Sequence, residues 1–115
     1  ALNTGVSFLG IDTSLNPSLD EGGSVAAAIE SLEEITQDFG GPGSLAAAAA
    51  ITTALQSLPG IQHCGYSGLM LPVCEDRRLA ELSDKLLISN LLCISSVCGV
   101  GVDTVPIAGN ADVAS

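Results

Sequence analysis

Apolar and polar positions fall into short blocks along the chain, and each block has its own period. GVSFLGID (Gly5–Asp12) is a brief apolar run ending in a carboxylate, the pattern of a buried strand. TSLNPSLDEGG follows, a loop marked by Pro, Asn and paired Gly. In SVAAAIESLEEITQDF, Val25, Ile29, Leu32, Ile35 and Phe39 recur every three or four residues, which predicts a helix over 24–39. Ser24 is its expected N-cap, and Glu30, Glu33 and Glu34 its solvated face. GGPGS (Gly40–Ser44) stops that helix and opens LAAAAAITTALQSL, which ends before Pro59. Two strand-like runs come next, IQHCGY and LMLPV, split by Ser67-Gly68. Glu75-Asp76 open a short helical stretch, DRRLAELSDKL, and a last helix capped by Ser89 spans NLLCISSVC. GVGVDTVPIAGNAD returns as a glycine loop, a short strand and a turn.

Wholly apolar strands alternating with helices predict an α/β protein with mainly parallel, buried strands. At 115 residues the chain has the size of one core. Four short strands cannot close a barrel, and the first and last would be raw edges. The expectation is therefore a single segment, 1–115, of a larger architecture.

Composition narrows the function. Hydrophobic residues make up 47% and mean hydropathy is +0.50, which excludes disorder. The formal charge of −10, with Arg77, Arg78 and Lys85 as the only fixed cations, argues against nucleic acid and against anionic membrane surfaces. SLAAAAAI and LLISNLLCISSVCGVGV are interrupted by Ser, Asn and Gly, so neither reads as a membrane span. ALNTGVSFLG has no basic n-region, and a cytoplasmic location is expected. Cys93 and Cys98 stand about 140° apart on a helix, and His63 and Cys64 face opposite ways on a strand. Neither pair suits zinc, and all four cysteines, with Cys64 and Cys74, are expected to be buried, reduced and inert.

Asp12, Glu75, Asp76 and Asp103 each adjoin an apolar strand and begin a loop. In parallel α/β folds ligands bind beyond the carboxyl ends of strands, so these carboxylates are expected to line one rim. Such a rim could hold Mg²⁺ or Ca²⁺, or supply a general acid and base. The competing role is helix capping, by Asp76 for the next helix and by Asp20 for the helix near Ser24. Asp103 is the best single catalytic candidate, expected to matter for function more than for folding. Asp12, Gly65, Ser67, Gly68, Gly99 and Gly101 are candidate ligand-binding positions, since glycines permit close backbone approach or simply fit tight turns. GGPGSL could offer backbone N–H groups to an anion, or serve only as a hinge between helices. His63 has no serine or cysteine at a nucleophile elbow to work with, which argues against a triad hydrolase.

GIDTSLNPSLDEGGSVAAAIE, FGGPGSLAAAAAITTAL, CGYSGLMLPVCEDRRLAE and SSVCGVGVDTVPIAGNAD resemble, in that order, consecutive segments of the DUF711 family, also called UPF0210. The resemblance covers nearly the whole chain. It implies an interior-to-C-terminal portion of a protein several hundred residues long, homodimeric, with a fold similar to the α/β barrel of pyruvate formate-lyase-like glycyl radical enzymes. The family's function is not established. IAGNAD departs from the expected PGD-type turn, and Asn110 removes one carboxylate there. A shared fold does not transmit activity. No glycyl radical motif and no adjacent cysteine pair occur, and Cys98, the one thiol near the rim, sits at a helix C-terminus that disfavours its thiolate. Radical chemistry is not expected. The reading is a binder of a small polar molecule or divalent metal at a carboxylate rim, with enzymatic activity left open; its rivals are a non-catalytic homo-oligomeric scaffold and a segment without independent function.

Overall fold

A computed structural model describes residues 5–35, 37–101 and 104–112. Helices α1 (Val25–Glu30) and α2 (Ser44–Gln56) precede strand β1 (Leu69–Met70); α3 (Arg77–Glu81), α4 (Ile88–Ser95) and β2 (Gly99–Gly101) follow. The protein is mixed α/β, with helices around a small parallel sheet.

β1 and β2 pair in parallel, opened by the Leu69 N–H donating to the Cys98 carbonyl at 2.7 Å. On the other side of β1, Leu15 donates to the Gly68 carbonyl and Met70 donates to the Leu15 carbonyl. A second parallel bridge joins Ile11 to His63. All pairings among the described residues are parallel, as expected of apolar strands between helices.

The expected first strand, Gly5–Asp12, is corrected: only Ile11 makes a bridge, and Val6, Phe8 and Leu9 are 80%, 72% and 72% exposed. Their apolar pattern is that of a buried strand, but no described element lies against them. IQHCGY likewise shrinks to the single bridge at His63, because Gly65 and Ser67 adopt left-handed φ values of 66° and 46° and turn the chain. At the other end, the expected glycine loop is β2 itself, and residues 104–108 form no strand.

The helix expected over 24–39 ends at Glu30. Ser31 closes it, its hydroxyl donating to the Ala28 carbonyl at 2.6 Å. Glu30 then accepts the Phe39 N–H at 2.6 Å and the Arg78 Nε–H at 2.7 Å, folding the following segment back. The apolar period still carries Ile29 and Phe39 into the core, although Leu32 is left exposed. Glu30 is thus no part of a solvated face. Arg78 also meets Asp38 at 2.9 Å, and these carboxylates, Glu30 foremost, raise the guanidinium's pKa further.

Small side chains let α2 pack closely: Ser44, Ala48 and Thr52 form its buried face against β1, α4 and α1. Ser89 lies inside α4 rather than capping it. Leu87 is the N-cap, extended at ψ 132°, and its carbonyl accepts from the Asn90 and Leu91 N–H groups. Ile29, Leu69, Leu71, Leu79, Leu82, Leu91 and Ile94 complete a core between the sheet and the helices. No described helix is long and apolar enough to cross a membrane.

Candidate functional site

The carboxyl ends of β1 and β2 open onto a cleft of about 330 Å³. Its wall follows from the local sequence. After Met70, Leu71-Pro72-Val73 stays buried, and the Pro72 carbonyl accepts both the Glu75 and the Asp76 N–H at 3.0 Å. That turn parts two adjacent carboxylates. Glu75 remains exposed at the cleft, and its carboxylate has no partner among the described residues. Asp76 points inward and is fully buried. Tyr66, Met70, Leu71, Pro72 and Val100 supply the apolar wall, and Gly101 its edge.

Asp76 does capping work at two helices at once. Its Oδ1 accepts from the Arg78 and Leu79 N–H groups at 3.0 and 3.1 Å, opening α3. Its Oδ2 accepts from Val25 and Ala26 at 2.8 and 3.2 Å, opening α1. The Ser24 hydroxyl donates to Oδ1 at 2.5 Å while accepting the Ala27 N–H at 3.0 Å, so Ser24 is the N-cap that the sequence suggests. With five protein donors and no exposed surface, this carboxylate has no face left for a ligand. Asp20 caps nothing with its side chain; its backbone carbonyl closes a turn onto Gly23.

Asp12 sits at the neighbouring strand end. Its carboxylate accepts from the Ser14 hydroxyl at 2.6 Å and from the N–H groups of Ser14, Ser67 and Tyr66 at 3.0, 3.0 and 3.3 Å. These bonds, led by the Ser14 hydroxyl, hold its pKa down from 3.8 to about 2. A side chain at Gly65 would overlap the carboxylate, which explains a glycine there. Ser67 completes the knot: its hydroxyl donates to the Cys64 carbonyl at 3.1 Å, and its left-handed backbone delivers its N–H to Asp12. Asp12 and Ser67 therefore fix the loop that carries Tyr66. Because the folded-state pKa is depressed, the stabilisation is complete above the unfolded value and disappears as pH falls through the folded one. Comparing wild type with Asp12→Asn by urea denaturation across pH, we expect a constant stability difference above pH ~4 that closes towards pH ~2. A difference that stayed flat through that window would show that the ionised form is not what the loop holds.

The remaining candidates separate. Gly68 allows close approach to β2, and Gly99 and Gly101 lie on β2 at positive φ. Cys98 is fully buried, with its thiol pKa pushed up by burial and its Sγ accepting the Gly101 N–H at 3.0 Å. All four cysteines are free, but Cys74 and Cys93 are exposed, correcting the expectation that every thiol is buried. A single apolar position in a pattern does not say whether anything lies over it. Asp103 lies outside the described residues. The Gly40–Ser44 turn is tied to α4 by the Asn90 side chain, which donates to the Gly40 carbonyl at 2.7 Å, and the Gly40 N–H donates to the Ser44 hydroxyl. Among the described residues no three His, Cys, Asp or Glu side chains converge to hold a metal ion. Tyr66 was not singled out by sequence reasoning; its signal was a lone aromatic set between Gly65 and Ser67-Gly68.

Fold and cleft together define an α/β chain with two exposed carboxylates at its described strand ends, Asp12 tied into a loop and Glu75 without a described partner. The chain belongs to the DUF711 family, described as an uncharacterised ACR, whose pattern it matches over residues 1–115. It is 34% identical over 113 residues to a UPF0210 protein of Methanopyrus kandleri, covering 95% of this chain and 25% of that protein. The UPF0210 protein of Lactiplantibacillus plantarum is 37% identical over 112 residues, covering 91% and 24%. That of Sulfurisphaera tokodaii is 36% identical over 113 residues, covering 94% and 25%. The chain thus spans about a quarter of the length of these relatives. No solved structure matches it.

Proposed function

We propose that the protein binds a small molecule in the cleft between Tyr66 and Glu75, at the carboxyl ends of β1 and β2. The observation that carries this is the position of Glu75. A carboxylate without a partner among the described residues stands at a concave wall of mixed polar and apolar surface, where parallel α/β sheets place their ligands. A divalent cation held by the chain alone is the weaker version, because Glu75 is the one carboxylate lining the cleft among the described residues. No reaction is assigned.

The same reading takes the chain as one segment of a larger barrel, similar to that of the pyruvate formate-lyase-like proteins. The exposed Val6, Phe8 and Leu9 support it, as does the length of the relatives. A crystal of the family-length protein soaked with a mixed set of small polar fragments tests the cleft. Fragments are expected between Tyr66 and Glu75. Polypeptide of the same protein packed into that space, with fragments gathering elsewhere, would end the proposal.

A further inference from the structure

We infer that the ligand class of this cleft is a small organic cation, an ammonium or guanidinium group carried on a short apolar body. The inference rests on the cleft reading above and adds the chemistry of its lining. Among the described residues one carboxylic acid faces the space, Glu75, and its carboxylate has no described partner. Around it stand an aromatic ring, a thioether and aliphatic surface, from Tyr66, Met70 and Val100, over the buried Leu71 and Pro72. Tyr66 is 68% exposed, so its ring is available to a ligand rather than committed to the core.

Each alternative class lacks something that the cleft would need. An anion would require a counter-charge, and none of the three cations lines this space. Arg77 and Arg78 line a separate hollow beside Asp20 and Glu81, and Lys85 lines one beside Asp38 and Asn90. The net charge of −10 opposes an anion further. A sugar-like ligand would bring many hydroxyls, whereas Glu75 and the Tyr66 hydroxyl are the polar side-chain groups of the described lining. A bare metal ion would take several oxygen ligands, and the described lining of the cleft offers one carboxylate. An organic cation uses what is present. Its charge pairs with Glu75, the aromatic ring attracts the same charge through its quadrupole, and the short apolar body covers the half-buried Met70 and Val100.

The test uses the family-length protein and three probes of one size: butylammonium, butyrate and butanol, followed by ligand-observed NMR titration. Butylammonium is expected to bind at least about tenfold more tightly than butyrate or butanol, the scale of one charge-assisted hydrogen bond. Glu75→Gln is expected to remove about that tenfold advantage while leaving the melting temperature of the unliganded protein in place. Tyr66→Leu should weaken butylammonium several-fold, about the scale of one cation–π contact, and Tyr66→Phe should retain binding because the ring remains. Equal binding of butanol or butyrate, or ammonium binding indifferent to Glu75→Gln, would overturn the cation assignment. Neutral or anionic fragments occupying the cleft in a soaked crystal would overturn it too while leaving the cleft reading intact. Polypeptide filling the cleft would remove both.

Discussion

Replacing Asp76 by alanine is expected to lower the stability of the family-length protein by roughly 2–4 kcal/mol, the cost of α3's N-cap and of the acceptor for α1's first two N–H groups lost together. The carboxylate accepts four backbone N–H groups, two opening α1 and two opening α3, and one hydroxyl, and it does so with no exposed surface. Alanine leaves those donors inside the protein without acceptors, where water cannot replace the lost oxygens. Both helices are short, six and five residues, so neither has propagated far enough to hold itself together without its first turn. Arg78 makes the damage spread, since its position on α3 depends on the Asp76 cap and its guanidinium holds Glu30 and Asp38. Asp76→Asn is expected to fall between alanine and wild type. Its amide keeps one oxygen acceptor, and its NH₂ group must face donors on the other side. Urea denaturation of the three proteins reads the order directly. An alanine variant as stable as wild type, with ligand binding lost, would move Asp76 from the frame of the protein into its site.

Asp76 also shows what the sequence could and could not reveal. That it opens α3 is a local fact, readable from an aspartate placed just before an apolar-periodic run. That it opens α1 as well depends on a meeting across 50 residues, which no local pattern encodes. Ser24 was legible for the same local reason, and its bond to Asp76 was not. The truncation of α1 follows the same logic. The apolar period from Val25 to Phe39 is real and delivers Ile29 and Phe39 to the core, but the helix ends where Glu30 finds Phe39 and Arg78. Tertiary hydrogen bonding overrides a helical period that propensity would have continued. A parallel sense was legible from the apolar run at β1, whereas its partner β2, Gly99–Gly101, reads as a glycine loop because its glycines carry no strand pattern. The burial of Val6, Phe8 and Leu9 was inferred from the same pattern, and they stand exposed because burial requires a second surface as well as an apolar side chain. For the cleft, the principle that ligands gather at strand ends pointed to Glu75. Its separation from Asp76 depended on the carbonyl of Pro72, a backbone group without a signature in the sequence.

Gly68→Ala carries the second large effect, expected to destabilise by roughly 2–4 kcal/mol, about 1–3 from overpacking and about 1 from a lost hydrogen bond. A methyl group at Gly68 would overlap the Cys98 carbonyl oxygen and come within 3.0 Å of the Gly99 Cα. Both obstacles are backbone, so no side-chain rotation can relieve them. The Cys98 carbonyl is also the acceptor for the Leu69 N–H, so the methyl falls on the hydrogen bond that opens the β1–β2 pairing. The two strands must separate or slip, and because their carboxyl ends wall the cleft, a slip carries Met70 and Val100 apart as well. Gly109→Ala provides the contrast, since no described residue lies within 4 Å of its added methyl, and its stability is expected to stay within about 0.5 kcal/mol of wild type. Denaturation midpoints give the sizes, and hydrogen exchange at the Leu69 amide gives the place: exchange should quicken in the Gly68 variant and not in the Gly109 variant. If Gly68→Ala matches Gly109→Ala on both measurements, β1 and β2 do not meet at Cys98, and the cleft must be built from other residues.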